Sequence, residues 1–239
     1  MQTQITAKDK MKFGGLQKLT LLDYPEHVAC TVFTHGCNFR CPFCHNNSLV
    51  TGKFNDTGLS EDEILQFLNK RKGMLEGVCI TGGEPLLQAG IVEFIKKVKQ
   101  LGYKVKLDTN GAFPEKLKEL VGAHLVDYVA MDVKNSQEEY DKTAGCAVNL
   151  DEICQSVEFL KSGIVDYEFR TTVTGTFHTE KSIEMTAKWL SGAKRWYLQQ
   201  FVASSDLIDS TVTGCDEQTL KKYQDIAQRY VPNTQLRGV

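Results

Sequence analysis

The sequence lacks three features, each of which would define a class of protein. It contains no run of about 18 apolar residues, so we expect no membrane span. It has no basic excess, since 28 Lys and Arg stand against 30 Asp and Glu, which argues against a nucleic-acid-binding protein. Its polar beginning has no apolar signal core, so we expect a cytoplasmic protein. We also expect residues 1–12 to form a flexible extension.

Cysteine is too sparse for a disulfide scaffold. The 8 cysteines in 239 residues are about 3% of the chain, well below the roughly 8–10% that marks such a scaffold. In a reducing compartment, clustered cysteines bind metal or do chemistry more often than they form disulfides. Cys37, Cys41 and Cys44 do cluster, whereas the other five are scattered along the chain.

Short apolar, β-branched runs alternate with helical patterns along the rest of the chain. The predicted strands are 28–34, 78–81, 104–108, 125–131, 166–173 and 196–201. Ser60 and Glu63 form a capping box at the start of one predicted helix, and Ile91, Ile95 and Val98 mark the apolar stripe of the next one. Six strand–helix units predict an α/β fold in a single domain, 13–239, either an open doubly wound sheet or a partial barrel. In either fold, chemistry belongs at the carboxyl ends of the strands.

The cysteine cluster directly follows the first predicted strand with the spacing Cys-x3-Cys-x2-Cys. Three thiolates in one loop can hold three irons of a [4Fe–4S] cluster and leave the fourth iron open to a substrate. The alternative is a structural zinc site in which His45 is the fourth ligand. Joint ligation by the adjacent Cys44 and His45 is awkward, and no second Cys-x2-Cys pair exists.

Other polar groups fall at the ends of the later strands. Gly82 and Gly83 would let a ligand approach the backbone, and Glu84 could take an ammonium group, although a plain turn is the alternative. Period-two alternation puts Asp132 and Lys134 on the same side of a strand. Three oxygen ligands for a hard cation also fall at strand ends, and they are Asp108, Thr109 and Asp132. On the later strands, Arg170 could bind a carboxylate, and Gln199 and Gln200 end the sixth predicted strand.

These residues together resemble a known family. Cys37-x3-Cys41-Pro42-Phe43-Cys44, followed by Thr81-Gly82-Gly83-Glu84-Pro85, resembles the radical S-adenosylmethionine enzymes. The stretches 36–46 and 108–111 look like the branch that activates glycyl radical enzymes. The lead-in 14–25 is similar to the longer anaerobic ribonucleoside-triphosphate reductase activating proteins. The resemblance extends from about residue 13 to about residue 203.

The resemblance implies a partial (β/α)6 barrel with a [4Fe–4S] cluster on Cys37, Cys41 and Cys44. It implies that S-adenosylmethionine is cleaved reductively and that a hydrogen is then taken from a glycine of a partner protein. No side chain need act as an acid or base, so the family's chemistry belongs to the cluster and the cosubstrate. The residues expected to line the cosubstrate are Phe43, Gly82, Gly83, Glu84, Asp108, Thr109, Asp132, Lys134, Arg170 and Gln199.

Within that set, the resemblance gives individual roles. Phe43 would pack beside the cluster or the adenine, and Glu84 would lie near the methionine ammonium group. A monovalent-cation site would be formed by three oxygen ligands, Asp108, Thr109 and Asp132. Two positions depart from the family pattern. Val202 stands where a histidine would contact the cosubstrate, so Gln199 or Gln200 would take part instead, and Glu26 replaces a glycine without an evident consequence.

The expected partners follow from the same resemblance. They are a glycyl radical enzyme, with anaerobic ribonucleoside-triphosphate reductase first and pyruvate formate-lyase or another such enzyme as alternatives, and flavodoxin or ferredoxin as electron donor. Lysines form a basic patch that would be a flavodoxin docking face or a solvated helix face, at positions 96, 97, 99, 104 and 106. Two other functions remain open: a radical enzyme acting on a small molecule, and a zinc-binding interaction module.

Overall fold

The computed structural model describes residues 11–52 and 58–238. Residues 1–10 of the predicted extension therefore lie outside the described residues. The chain forms two compact units that alternate along the sequence. The first takes in the described part of Met1–Asn38 together with Ser48–Thr109 and Glu115–Val129, and the second comprises Phe39–Asn47, Asn110–Pro114 and Ala130–Val239 as far as residue 238.

The described strands follow one another in chain order across one open, mostly parallel sheet. They are β1 (Phe13–Thr20), β2 (Ala29–Thr34), β3 (Gly77–Gly82), β4 (Lys104–Thr109), β5 (Tyr128–Asp132), β6 (Asp166–Val173), β7 (Trp196–Gln200) and β8 (Thr234–Arg237). β1 is antiparallel to β2. The ladders β2–β3, β3–β4, β6–β7 and β7–β8 are parallel.

Helices connect these strands. They are α1 (Asn47–Val50), α2 (Glu61–Lys70), α3 (Ile91–Gln100), α4 (Pro114–Gly122), α5 (Tyr140–Ala144), α6 (Leu150–Lys161), α7 (Glu180–Trp189) and α8 (Glu217–Gln228). Short 3-10 turns span Pro85–Leu87 and Gln137–Glu139. Within the described ranges, no helix has both the length and the apolar character needed to cross a membrane.

In the first unit, the predicted helix signals are confirmed. Ser60 and Glu63 form the capping box at the start of α2, and each side chain bonds the backbone nitrogen of the other. The apolar stripe of α3 is fully buried, as at Ile91, Ile95 and Val98. The stripe covers the sheet because residues three and four apart share one face of a helix.

In the second unit, β8 is joined to the rest of its sheet by an ion pair as well as by its ladder. Both terminal guanidinium nitrogens of Arg237 donate to the carboxylate of Glu168, at 2.7 and 2.9 Å. The Glu168 side chain is only 1% exposed, and the Arg237 guanidinium lies 3.4 Å from the ring centre of Tyr197 on β7. Two strands and the aromatic ring between them are thus fastened by one side chain.

The prediction of an α/β fold with parallel strands is confirmed, and the sheet is consistent with the partial barrel that the resemblance implies. The six predicted strands correspond to β2–β7. The strand count is nevertheless wrong, because β1 and β8 form the two edges of the sheet and neither was predicted. β8 has only four residues and a polar sequence, so it carries no apolar alternation.

The substitution of Glu26 for glycine does have a structural consequence, contrary to the expectation. Glu26 has a backbone φ of 64°, in the left-handed region that glycine adopts without a steric penalty. Here a residue with a Cβ takes the conformation instead, in the turn where the nitrogen of His27 donates to the oxygen of Tyr24 at 3.2 Å. The Tyr24 side chain is buried, and it packs near Tyr128 with ring centres 6.2 Å apart.

Candidate functional site

In the first unit, the turn after β3 lies against the backbone that leads into Cys37. The nitrogen of Gly83 donates to the oxygen of Thr34 at 3.0 Å, and that of Glu84 donates to the oxygen of Gly36 at 2.9 Å. A Cβ on Gly82 or Gly83 would overlap the backbone of Thr34 or Gly36, respectively. These glycines therefore permit a close approach between two segments of the chain itself.

Glu84 is buried at the start of the 3-10 turn. Its Oε1 accepts from the nitrogen of Leu86 at 3.0 Å and from the hydroxyl of Thr109 at 2.9 Å. The structure thus brings together two of the predicted site residues, one from the end of β3 and one from the end of β4. The Glu84 carboxylate caps a turn and fixes the Thr109 side chain, roles that the sequence did not indicate.

The Asp108 carboxylate, predicted as a cation ligand, is paired with a lysine of the same strand. Lys106 Nζ forms an ion pair with Asp108 Oδ1. Lys106 is only 2% exposed, so its assignment to a basic surface patch is wrong. The alternation of β4 places residues 104, 106 and 108 on one face, and this signal could have identified the pair.

Three other lysines of the proposed patch are exposed or half-exposed, and each is paired with an acidic side chain. Lys96 contacts Glu93 at 2.7 Å, Lys97 contacts Glu61 at 2.6 Å and Lys99 contacts Asp127 at 2.7 Å. The acidic partners neutralise much of the positive charge of this helix, α3. The arrangement favours the interpretation of a solvated helix face over a docking face.

In the second unit, the loop that carries Cys41 and Cys44 is fastened at both ends. The nitrogen of Arg40 donates to the oxygen of Ala144 at 2.9 Å, and the nitrogen of Asp209 donates to the oxygen of Pro42 at 2.9 Å. Cys44 closes a tight turn, since its nitrogen donates to the oxygen of Cys41 at 3.0 Å. The loop therefore presents two cysteines from one turn that is held by backbone hydrogen bonds.

Phe43 lies between these two cysteines and is buried. Its ring centre is 6.1 Å from that of Phe177, in the segment between β6 and α7. The aromatic contact connects the cysteine loop to the carboxyl end of β6. The described ring partner of Phe43 is thus another phenylalanine.

The His45 side chain is held at the end of β7. Its ring stacks on Phe201, with centres 5.5 Å apart and planes at 11°, and Nε2 lies 2.7 Å from the oxygen of Val202. A carbonyl only accepts, so Nε2 carries the proton and Nδ1 is the ring nitrogen that keeps a lone pair. A zinc site that included His45 would therefore use Nδ1. The contact also brings an imidazole to the position where the sequence has Val202 in place of a histidine.

An ion-pair network joins the ends of β5 and β6. Asp132 Oδ2 lies 3.0 Å from Lys134 Nζ, and Oδ1 lies 2.8 Å from Arg170 Nε. Asp132 and Lys134 are thus on the same side of the chain, as predicted. Burial alone would raise the pKa of Asp132, but the charges and hydrogen bonds of Arg170 and Lys134 outweigh it and hold that pKa well below its usual range.

Cys41 and Cys44, the two loop cysteines in this unit, are neutral thiols when no metal is bound. Burial raises the pKa of Cys41 to about 11 and also raises the pKa of Cys44, while the positive charge of Lys134 acts in the opposite direction on both. Cys146, to which the sequence assigned no role, also lies near enough to Cys41 for its charge to affect the Cys41 pKa.

Gln199 lies half-buried on β7, where the ladders pair it with Thr172 on β6 and with Arg237 on β8. Gln200, the other candidate for a cosubstrate contact, donates through Nε2 to the oxygen of Cys215 at 3.5 Å. Of the two glutamines, Gln200 is therefore engaged by the segment that leads to α8.

The cysteine loop fits an iron–sulfur cluster by the chemistry of its donors. All eight cysteines lie in the described ranges and none forms a disulfide. Three free thiols within eight residues are therefore available as ligands. In the described part of the chain, no three His, Cys, Asp or Glu side chains are already arranged around a metal position. Binding would release the protons of these thiols. Cys37, Cys41 and Cys44 are the residues that would hold the cluster.

The parallel sheet, the cysteine loop that follows β2 and the turn at Gly82–Glu84 define a class of enzyme. The model of the Radical SAM superfamily matches residues 31–190, more than half of the chain, and the protein belongs to that superfamily. The family implies a [4Fe–4S] cluster and S-adenosylmethionine as cofactor and cosubstrate.

Two relatives share most of their length with this chain. Both come from Methanocaldococcus jannaschii and both carry the provisional name of a glycyl-radical enzyme activating enzyme. One is 31% identical over 96% of this chain and 97% of its own. The other is 27% identical over 92% of this chain and 84% of its own.

A solved structure shows the same fold. It is a domain of pyruvate-formate lyase-activating enzyme from Bacteroides vulgatus, with a TM-score of 0.55 and 19% identity. The match covers 68% of this chain and 99% of that one. At this identity the likeness concerns the fold alone.

Proposed function

We propose that the protein is an activating enzyme that cleaves S-adenosylmethionine reductively and generates a glycyl radical on a partner enzyme. The observation that carries the proposal is the 31% identity to a relative of that provisional name across nearly the whole of both chains. The three-cysteine motif and the absence of any other Cys-x2-Cys pair in the sequence support it. In this family the bound cluster supplies the electron for the cleavage.

The residues at the strand ends have separate tasks in this proposal. Cys37, Cys41 and Cys44 hold the cluster. Lys134 and Arg170 offer positive charge for the carboxylate of the cosubstrate, and Asp132 holds both of them in place through its two oxygens. The other residues proposed to line the cosubstrate are Phe43, Gly82, Gly83, Glu84, Asp108, Thr109 and Gln199.

The central experiment measures 5′-deoxyadenosine. Anaerobically reconstituted protein, given dithionite and S-adenosylmethionine, should release it, and Cys41→Ala should abolish the release. Cys154→Ala is the matched control, since Cys154 lies on α6 and its described partner is the side-chain nitrogen of Gln137 at 3.3 Å. Normal release by the Cys41 variant would refute the proposal.

The proposed partner is anaerobic ribonucleoside-triphosphate reductase. The similarity of the lead-in 14–25 to the activating proteins of that enzyme supports this choice. Mixing the reduced protein with the reductase, with pyruvate formate-lyase or with neither separates the possibilities. A glycyl doublet in the electron paramagnetic resonance spectrum of the reductase mixture alone is the expected result, whereas a doublet only with the formate-lyase would redirect the assignment.

We also propose a cytoplasmic location and flavodoxin or ferredoxin as the electron donor. The ion pairs of Lys96 and Lys97 argue against α3 as the docking face for either donor. Reversing both charges with Lys96→Glu and Lys97→Glu should therefore leave the rate of reduction by flavodoxin unchanged. A rate that falls severalfold would instead place the donor on this helix.

A further inference from the structure

The interior face of the first unit contains a lysine for which the proposed function has no role. Lys106 lies on β4, where the ladder pairs it with Cys79 on β3. Asp108 is two residues further along β4 and therefore on the same face. The three side chains contact one another, since Lys106 Nζ is paired with Asp108 Oδ1 and lies 3.9 Å from Cys79 Sγ.

The same group is almost completely removed from solvent. Cys79 is fully buried, and the side chains of Lys106 and Asp108 are 2% and 12% exposed. The Cys79 thiol is 3.8 Å from Asp108 Oδ1, the oxygen that Lys106 also contacts. An ammonium group buried without a counter-charge would be very unfavourable, so lysine and aspartate stabilise each other here.

A cation beside a buried carboxylate provides two things: charge compensation and a fixed direction for the oxygen. Alkali and alkaline-earth ions do this through oxygen ligands, and they can dissociate. In this chain, the ammonium group of Lys106 already contacts Asp108 Oδ1, and this cation is attached covalently to the same strand. Asp132 in the second unit likewise has two fixed cations, Lys134 and Arg170.

We infer that Lys106 is a built-in counter-ion that compensates the charge of Asp108 and orients its carboxylate at the carboxyl end of β4, in place of a dissociable alkali cation. The inference replaces the monovalent-cation site that the resemblance implied for Asp108, Thr109 and Asp132. Its consequence for S-adenosylmethionine binding rests on the proposed function. The ion pair and its effect on folding do not depend on that function.

The first test uses the unaltered protein. The thermal midpoint of the reconstituted protein is measured in potassium chloride, sodium chloride and choline chloride at the same ionic strength, together with the dissociation constant of S-adenosylmethionine. Choline is too large to enter a carboxylate site. We expect midpoints within about 1 °C and dissociation constants within about twofold. A clear loss in choline would overturn the inference.

The second test removes the counter-ion. Lys106→Met should lower the midpoint in choline by about 10 °C, because the buried Asp108 carboxylate loses the ammonium group that contacts its Oδ1. It should also raise the dissociation constant of S-adenosylmethionine about tenfold. Potassium or sodium should restore part of both losses by entering beside Asp108. Equal behaviour in choline and in the alkali salts, or wild-type affinity despite lost stability, would overturn the inference.

A double variant and a matched lysine complete the design. Lys106→Met with Asp108→Asn removes both charges, so it should be more stable than the single variant and indifferent to the salt. If the single variant does not fold, folding of the double variant is the supporting result, and its failure to fold is the contrary one. Lys104→Met is the control, since Lys104 is exposed on the same strand, 3.3 Å from His27 Nε2. It should match the unaltered protein.

These measurements separate the inference from the proposed function. If the unaltered protein releases no 5′-deoxyadenosine, the activating function is refuted, while the salt dependence of the midpoints still decides the role of Lys106. If release is normal but the midpoints depend on potassium, the inference fails and the function stands.

Discussion

His178 connects the segment after β6 to the backbone of Lys134. Its Nε2 lies 3.0 Å from the oxygen of Lys134, and its Nδ1 lies 3.1 Å from the nitrogen of Thr174. A backbone nitrogen only donates, so Nδ1 accepts and the proton is on Nε2, which donates to Lys134. The neutral form of one tautomer therefore holds the backbone of a residue that we propose to contact the cosubstrate.

This histidine should make the fold sensitive to acid. Burial lowers the pKa of His178 to about 4, against an ordinary value of about 6.5. Between these values the unfolded chain binds a proton that the folded chain does not. The free energy of unfolding should therefore be unaffected by this group above about pH 6.5 and should decrease by about 3 kcal/mol as the pH falls to about 4.

Urea unfolding at several pH values checks this. His178→Gln should be less stable at pH 7, because one of the two hydrogen bonds is lost, but it should lose less stability than the native protein between pH 6.5 and 4. Tyr223→Phe is the control, since the Tyr223 hydroxyl donates to the oxygen of His178 at 3.1 Å and does not touch the ring. Parallel pH profiles for native protein and His178→Gln would contradict the assignment.

Asp132→Asn should destabilise the second unit. The substitution leaves Lys134 and Arg170, which are 15% and 14% exposed, without the charge between them. Because Asp132 itself is one third exposed, we expect a loss of about 2–3 kcal/mol in the free energy of unfolding, below the full cost of a buried pair.

Chemical denaturation measures this loss, and the affinity for S-adenosylmethionine should fall with it. Glu139→Gln is the matched control, because it breaks an exposed pair in which Lys142 lies 3.8 Å away. That variant should change stability by no more than about 0.5 kcal/mol. A loss for Asp132→Asn as small as this would show that the network contributes nothing.

Gly83→Ala should disrupt the start of the cysteine loop. The new Cβ would overlap the oxygen of Gly36, which is the residue before Cys37, and Gly36 cannot move away without losing its hydrogen bond from Glu84. We expect a loss of more than about 2 kcal/mol in unfolding free energy and a lower iron content after reconstitution.

Gly122→Ala provides the comparison. Gly122 ends α4, and a Cβ there would meet no atom within 4 Å. Alanine should be neutral or stabilising by up to about 1 kcal/mol at this position, with unchanged iron content. If both alanine variants bind the same amount of iron, the packing of the turn at Gly83 does not control iron binding by the cysteine loop.

Glu26→Gly should stabilise the protein. A residue with a Cβ at a φ of 64° is strained by roughly 1–2 kcal/mol, and glycine removes this strain. The greater freedom of glycine in the unfolded chain offsets up to about 1 kcal/mol of that gain. The net gain should be about 0.5–1 kcal/mol, measured as a rise in the denaturation midpoint. Glu26→Ala keeps the strain and should give no gain. An equal gain from alanine would point to the charge of Glu26 as the cause.

The sequence predicted features whose signal is local. The capping box at Ser60, the apolar stripe of α3 and the alignment of Asp132 with Lys134 all depend on residues within one element, where spacing determines which side chains share a face. Each of them is confirmed.

Features that depend on partners distant in sequence were not predicted. Lys106 has the appearance of a surface lysine until β4 is packed face-inward against Cys79. His45 and Val202 are separated by 157 positions, and only the fold shows that the imidazole of one reaches the backbone of the other. The polar residues of β8 become a strand because a ladder with β7 is available, which no local propensity expresses.

The ion pair between Arg237 and Glu168 limits how far the chain can be shortened at β8. Arg237 is among the final residues of the sequence, yet the carboxylate that it compensates is 1% exposed on β6. Trimming the chain before Thr234 would strip away one edge of the sheet and leave a buried anion behind it. Deletions that shorten the protein for crystallisation would cut through this pair.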